Sequence, residues 1–131
     1  MRRRTLAEWD ASREWPLRHV NRLRRAVIAA IKQGRFSRDM HAKMRDRGFN
    51  EQDMIAAVSN PTSYVMRFRH WDGVNRAGFW NPRTGWLVIW LPSHRGRNRG
   101  IVVSCFWHPD GVQYMQNCGE TYREILAPDR M

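Results

Sequence analysis

The sequence predicts an α+β domain, with N-terminal helices packed on a twisted antiparallel sheet of four to five strands. Two observations carry that reading. Up to Pro61 the apolar residues recur at intervals of three and four, the period of a helix with one buried side, and beyond it they alternate as strands do. Helices first and an antiparallel meander after is the α+β order. The chain's 131 residues are a normal size for one domain, and 42% hydrophobic content with seven Trp supplies a core. We read residues 1–34 as a basic helical lead-in and 35–131 as the α+β domain proper, the two forming one compact unit.

In chain order, Thr5-Leu6-Ala7-Glu8 has capping-box spacing and opens a short helix to about Arg13. Pro16 suits the first turn of a second helix, where its missing N–H would be unpaired in any case. Val20, Leu23, Val27, Ile28 and Ile31 form its apolar stripe, and Gly34 is placed to end it in a left-handed cap. Ser37 is the expected cap of a third helix with Met40 and Met44 inside, closed by Gly48. Asn50, with Asp53 three residues on, caps a fourth whose stripe is Met54, Ile55 and Val58, and Asn60-Pro61 forces the exit.

Tyr64, Met66 and Phe68 then alternate with Val65, Arg67 and Arg69, a strand with one apolar face and arginines on the other. Asp72-Gly73 marks a turn, 77–80 a short strand and 81–85 a hairpin loop. Residues 86–91 are apolar on both faces, as a central strand is. A loop over 92–100 (PSHRGRNRG) leads to a strand over 101–107. His108-Pro109-Asp110-Gly111 is read as a turn into a last short strand through Tyr114, and the tail from Gly119 as a short helix.

The formal charge of +11 and pI near 11.3 call for an anionic partner, either nucleic acid or an acidic protein. Residues 1–48 hold fourteen Lys and Arg against five Asp and Glu, so the basic footprint lies on the helices. All but two of the cations are Arg, whose planar fork suits bidentate phosphate contact, although a GC-rich coding sequence also favours Arg over Lys. No apolar run approaches the length of a membrane span and no secretory signal is visible, so the expectation is a cytoplasmic protein with no membrane partner. Delivery by a specialised secretion route would leave the same sequence. Cys105 and Cys118 allow at most one disulfide and, with His94 and His108, show no ligand spacing. Neither metal nor cofactor is therefore expected. A phosphate-cradling glycine loop and a nucleophile elbow are both absent from the sequence.

The block from Phe36 to about Trp107 resembles a family of small bacterial and phage domains that read F-x-x-H, a short helix ending R-G, an acidic E-x-D helix, a terminal N-P, and strands ending in an apolar run with one hydroxyl. The matching residues are Phe36, His41, Met44-Arg45-Asp46-Arg47-Gly48, Glu51-Gln52-Asp53-Met54, Asn60-Pro61 and Ile101-Val102-Val103-Ser104. In layout that family is similar to barnase-like, EndoU-like, colicin-like and RelE-like ribonuclease toxins. The resemblance implies a metal-independent RNA-cleaving toxin-like domain, an endoribonuclease with an acidic antitoxin or immunity protein as partner, and gives site roles to His41, Arg47 and Ser104. Phe36 is set back from the usual spacing, and the helix through Ile31 lies outside the match.

Metal-free RNA cleavage needs a base at the 2′-OH, donors for the charged phosphorane and an acid for the 5′-oxygen, and yields a 2′,3′-cyclic phosphate. His41 supplies an imidazole, with Arg45 or Arg47 for phosphate and Ser104 and Tyr114 as hydroxyl donors; a helix histidine is as readily structural. Arg38, His41 and Arg45 share one side of their helix. For strand binding the candidates are Arg18, Arg22 and Arg25 on the long helix, Arg67 and Arg69 on the first strand, and His94, Arg95, Arg97 and Arg99 in the basic loop. Each set can equally be a solvated surface. Trp80, Trp86, Trp90 and Trp107 can stack bases or fill the core. The alternative function is a non-catalytic basic module that binds nucleic acid or an acidic protein. A homodimer through the apolar stripe of the N-terminal helices is a further possibility.

Overall fold

The computed structural model describes residues 17–69, 75–92, 100–117 and 123–126. The first predicted helix, the turn at Asp72-Gly73 and Cys118 lie outside the described residues. So does most of the arginine-rich loop, with His94, Arg95, Arg97 and Arg99. Within them the elements run α1 (Leu17–Lys32), α2 (Met40–Arg47), α3 (Glu51–Ser59), β1 (Tyr64–Arg69), β2 (Asn75–Trp80), β3 (Trp86–Leu91), β4 (Ile101–Trp107), α4 (Gly111–Asn117) and β5 (Arg123–Leu126). The five strands form one antiparallel sheet in the order β4-β3-β2-β1-β5. The class is α+β.

Local chemistry sets the helix ends. Gly48 adopts φ 73° and donates its N–H to Met44 O, the left-handed stop that a Cβ would oppose. Asn50 and Asp53 exchange side-chain and backbone hydrogen bonds in a capping box, at 2.8 and 3.0 Å. Asp39, not Ser37, is the residue before α2, and no side-chain bond caps that helix. The Ser37 hydroxyl instead lies 3.0 Å from both Asp39 Oδ1 and Val103 O, drawn to the sheet edge.

Helices α1 to α3 cover one face of the sheet. Val20, Val27, Ala30 and Ile31 of α1 join Met40, Met54, Ala57 and Val58, and meet Val65, Phe79, Val88, Trp90 and Val102 from the strands. Each of the Val, Ile, Met and Phe side chains contributes roughly 1.5–3 kcal/mol by leaving water. The α1 stripe is thus occupied within the chain, and a homodimer through it would have to withdraw it from this core.

Beyond β4 the reading of the sequence needs two corrections. Residues 111–117 form helix α4, where a strand through Tyr114 was expected, because Asp110 Oδ1 accepts the Gln113 N–H and caps a turn that buries Met115. Packed on Met66, Leu87 and Ile89, α4 gives the second face of the sheet its own small core. The tail supplies a strand, not a helix: β5 pairs with β1 from Val65↔Leu126 to Phe68↔Arg123. With both faces covered, β1 also departs from the expected one-sided pattern. Val65 and Met66 are both fully buried, and Arg67 is half-buried on the Val65 side.

Candidate nucleic-acid interface

Strand β4 is an edge of the sheet, and its outer side would present unpaired backbone groups were nothing laid against it. The chain entering α2 does part of this work: Val102 donates to Arg35 O (3.0 Å) and accepts from Ser37 N (2.9 Å) around a parallel bridge to Phe36. A bulge then leaves Val103 without a partner on β3, since Ile89 faces Ser104 and Trp90 faces Val102. The extra residue turns a second carbonyl outward, and Lys43 Nζ donates to Val103 O at 3.0 Å while also lying 3.3 Å from Asp39. One turn later Arg47 Nη1 donates to Cys105 O at 2.9 Å and lies 3.4 Å from Ser104 Oγ.

Arg47 therefore reaches over the edge from the helical side to the α4 side. Ser104 stands opposite Ile89, and Phe106 opposite Leu87, both members of the core under α4, so these two β4 residues share that face. The Arg47 guanidinium lies 6.0 Å from the Phe106 ring centroid, at cation–π range. Phe106 meets Tyr114 edge-on at 5.0 Å, and Tyr114 meets His108 at 5.3 Å. Ser104, Phe106, His108 and Tyr114 are all half-exposed. The result is a row of guanidinium, hydroxyl, phenol and imidazole along one water-accessible margin.

His108 is held by its own turn. Its Nδ1 accepts the Asp110 N–H at 2.9 Å and its carbonyl accepts from Trp80 Nε1 at 3.1 Å. A neutral imidazole whose Nδ1 accepts carries its proton on Nε2, so the Nε2–H is the hydrogen-bond donor left for a ligand. Sequence reading considered His108 only as a metal ligand and passed over it. The signal available was a histidine two residues ahead of a helix cap, which makes sense only once residues 111–117 are helical.

The predicted residues thus divide into groups. Arg47, Ser104 and Tyr114 belong to the row. Six positions from Arg47, His41 points about a third of a turn away around α2, where it is exposed with its ring edge-on to Phe36 at 5.8 Å. Arg38 and Arg45 are exposed too. On α1, Arg22 and Arg25 are exposed, whereas Arg24 between them is half-buried and its guanidinium pKa is lowered by desolvation. The backbone of α1 carries Arg18 and that of β1 carries Arg69, but their side chains are not among the described residues. From residue 17 to residue 48 ten Lys and Arg face only two acids, Asp39 and Asp46.

Other chemistries find less. Among the described residues no three His, Cys, Asp or Glu side chains gather where a metal ion could bind, and no described helix is long and apolar enough to cross a membrane. Cys105 is buried, and burial first, then the charge of Asp53, pushes its thiol up to about 12 against the opposing pull of Arg47, so it is no nucleophile at neutral pH. A shallow depression of about 470 Å³ at the end of α3 is lined by Ala56, Ser59, Asn60, Pro61, Thr62 and Arg83, none of them a predicted site residue. No protein-family model, curated protein or solved structure matches the chain.

Proposed function

We propose that the chain is a metal-independent RNA-cleaving domain of the toxin-like kind, working on a strand laid along the β4 margin. The observation that carries this reading is the passage of Arg47 across the sheet edge into the row completed by Ser104, Tyr114 and His108. A guanidinium has five N–H donors, and the contacts with β4 use one nitrogen. The rest of the fork has no acceptor among the described residues and is available to a phosphate. The 2′-oxygen attacks phosphorus as its proton passes to water. Arg47, the Ser104 hydroxyl and the His108 Nε2–H meet the charge on the phosphorane, and the P–O5′ bond breaks as the 5′-oxygen takes a proton from Tyr114 or water. The products are a 2′,3′-cyclic phosphate and a 5′-hydroxyl.

A second reading is a non-catalytic basic module, favoured by a different observation. Helix α1 has five Lys and Arg and no acidic residue, and Arg38 just ahead of α2, with His41 and Arg45 on it, is exposed where the row does not use it. Both readings expect RNA association that weakens steeply with salt. Incubation of labelled single-stranded RNA with the protein in excess chelator separates them: cyclic-phosphate ends support cleavage, and an intact but retarded strand leaves the binding module.

A further inference from the structure

Four tryptophans on the strands were candidates for stacking on bases, and the structure separates them. Trp90 is 4% exposed, Trp86 lies tilted against Phe49 at 5.4 Å, and Trp80 is half-buried with its indole N–H donated to His108 O. Trp107 is 57% exposed, the one large apolar side chain so placed among the described residues. It is the last residue of β4, two positions beyond Cys105, whose carbonyl holds Arg47, and thus roughly 7 Å further along the strand.

The indole has a firm base. Gly85, in the β2–β3 turn, has φ +82°, and a Cβ there would run into Trp107 Nε1 and Cδ1, so the ring rests on bare backbone. That backbone is fixed in turn. His108 N donates to Gly85 O (2.8 Å), Gly85 N to Asn81 O (2.7 Å) and Asn81 N to Trp86 O (3.0 Å).

We propose that Trp107 is a stacking platform for one unpaired nucleobase, and that it makes the chain selective for single-stranded over duplex nucleic acid. A ring resting on a rigid turn loses little freedom when a base covers it, and every base offers a π-face to stack. Arg47, one nucleotide's reach away, takes the phosphate of the same strand. A base paired within a duplex keeps its faces on its neighbours and cannot use the platform. This inference rests on the nucleic-acid part of the proposed function and not on cleavage.

The test uses the full chain and a fluorescein-labelled 2′-O-methyl hexa-adenylate, which cannot be cleaved. Trp107→Leu, which keeps apolar bulk without a ring, is expected to raise Kd about tenfold, and Trp107→Phe no more than about threefold. Abasic substitutions walked along the oligonucleotide should weaken wild-type binding at one position most of all, and that dependence should vanish in the Leu variant. A Leu variant within twofold of wild type, or an abasic profile the same in both proteins, overturns the platform. Should these results hold while natural RNA stays intact, the platform stands and cleavage falls. If the wild-type chain does not bind the probe even at low salt, both fall.

Discussion

The two sides of helix α2 carry the same kind of residue and do different work. On one side Lys43 and Arg47, four positions apart, put their charged ends on Val103 O and Cys105 O and close the edge of the sheet. On the other, His41 and Arg45 stand in water, as does Arg38 in the turn just before the helix. The lesson concerns cationic residues in general: i,i+4 spacing shows which ones stand together, but only the neighbour decides whether they seal a strand edge or remain available to a ligand.

That contrast yields graded predictions. Met40, fully buried between the two sides, anchors the helix, so Met40→Ala should cost about 2–5 kcal/mol in chemical unfolding, while the neighbouring exposed His41→Ala stays within about 0.5 kcal/mol. Equal losses would mean that the two sides are not distinct. Arg47→Gln is expected to lose about 1–2 kcal/mol, because the Cys105 carbonyl at the edge exchanges a charge-assisted bond for a weaker partner or water, and to abolish RNA cleavage. Arg38→Gln and Arg45→Gln should leave stability alone, yet each should reduce the slope of log K against log salt by about one in RNA titrations.

The smallest effect belongs to Asp39. The Ser37 hydroxyl, then Lys43, holds this carboxyl below its usual range although it is fully exposed. A carboxyl with a depressed folded pKa adds stability above the unfolded value and loses it as pH falls through the folded one. Unfolding midpoints of wild type should therefore drop slightly more than those of Asp39→Asn as the pH is taken below about 4. Parallel curves would show that the Lys43 side needs no help from its acid.

Much of the helical layer was legible in the sequence because its signals are local. The stripe from Val20 to Ile31, the Gly48 stop and the Asn50/Asp53 box each depend on residues within a turn or two of one another. The C-terminal third was not. Asp110-Gly111 serves a tight turn as well as a helix cap, and only burial of Met115 against the sheet decides for the helix. Strand β5 exists because β1 has a second edge to satisfy, about 60 positions earlier in the chain. The site divides the same way. Arg47 and Ser104 were named together from a family resemblance, yet their meeting depends on a bulge at Val103 that no periodicity announces. His108 gains its place only through α4, which carries Tyr114 to its ring.

The central claim is that the chemistry belongs to the β4 margin and not to the exposed side of α2. Rates of cyclic-phosphate formation by His108→Ala and His41→Ala, compared in chelator at one salt concentration, address it most directly. The account predicts a loss of about 100-fold or more for His108→Ala, as removal of one donor to the developing charge brings, and less than about fivefold for His41→Ala. The reverse order would move the chemistry to the other side of the helix, and wild-type rates in both would contradict the site altogether.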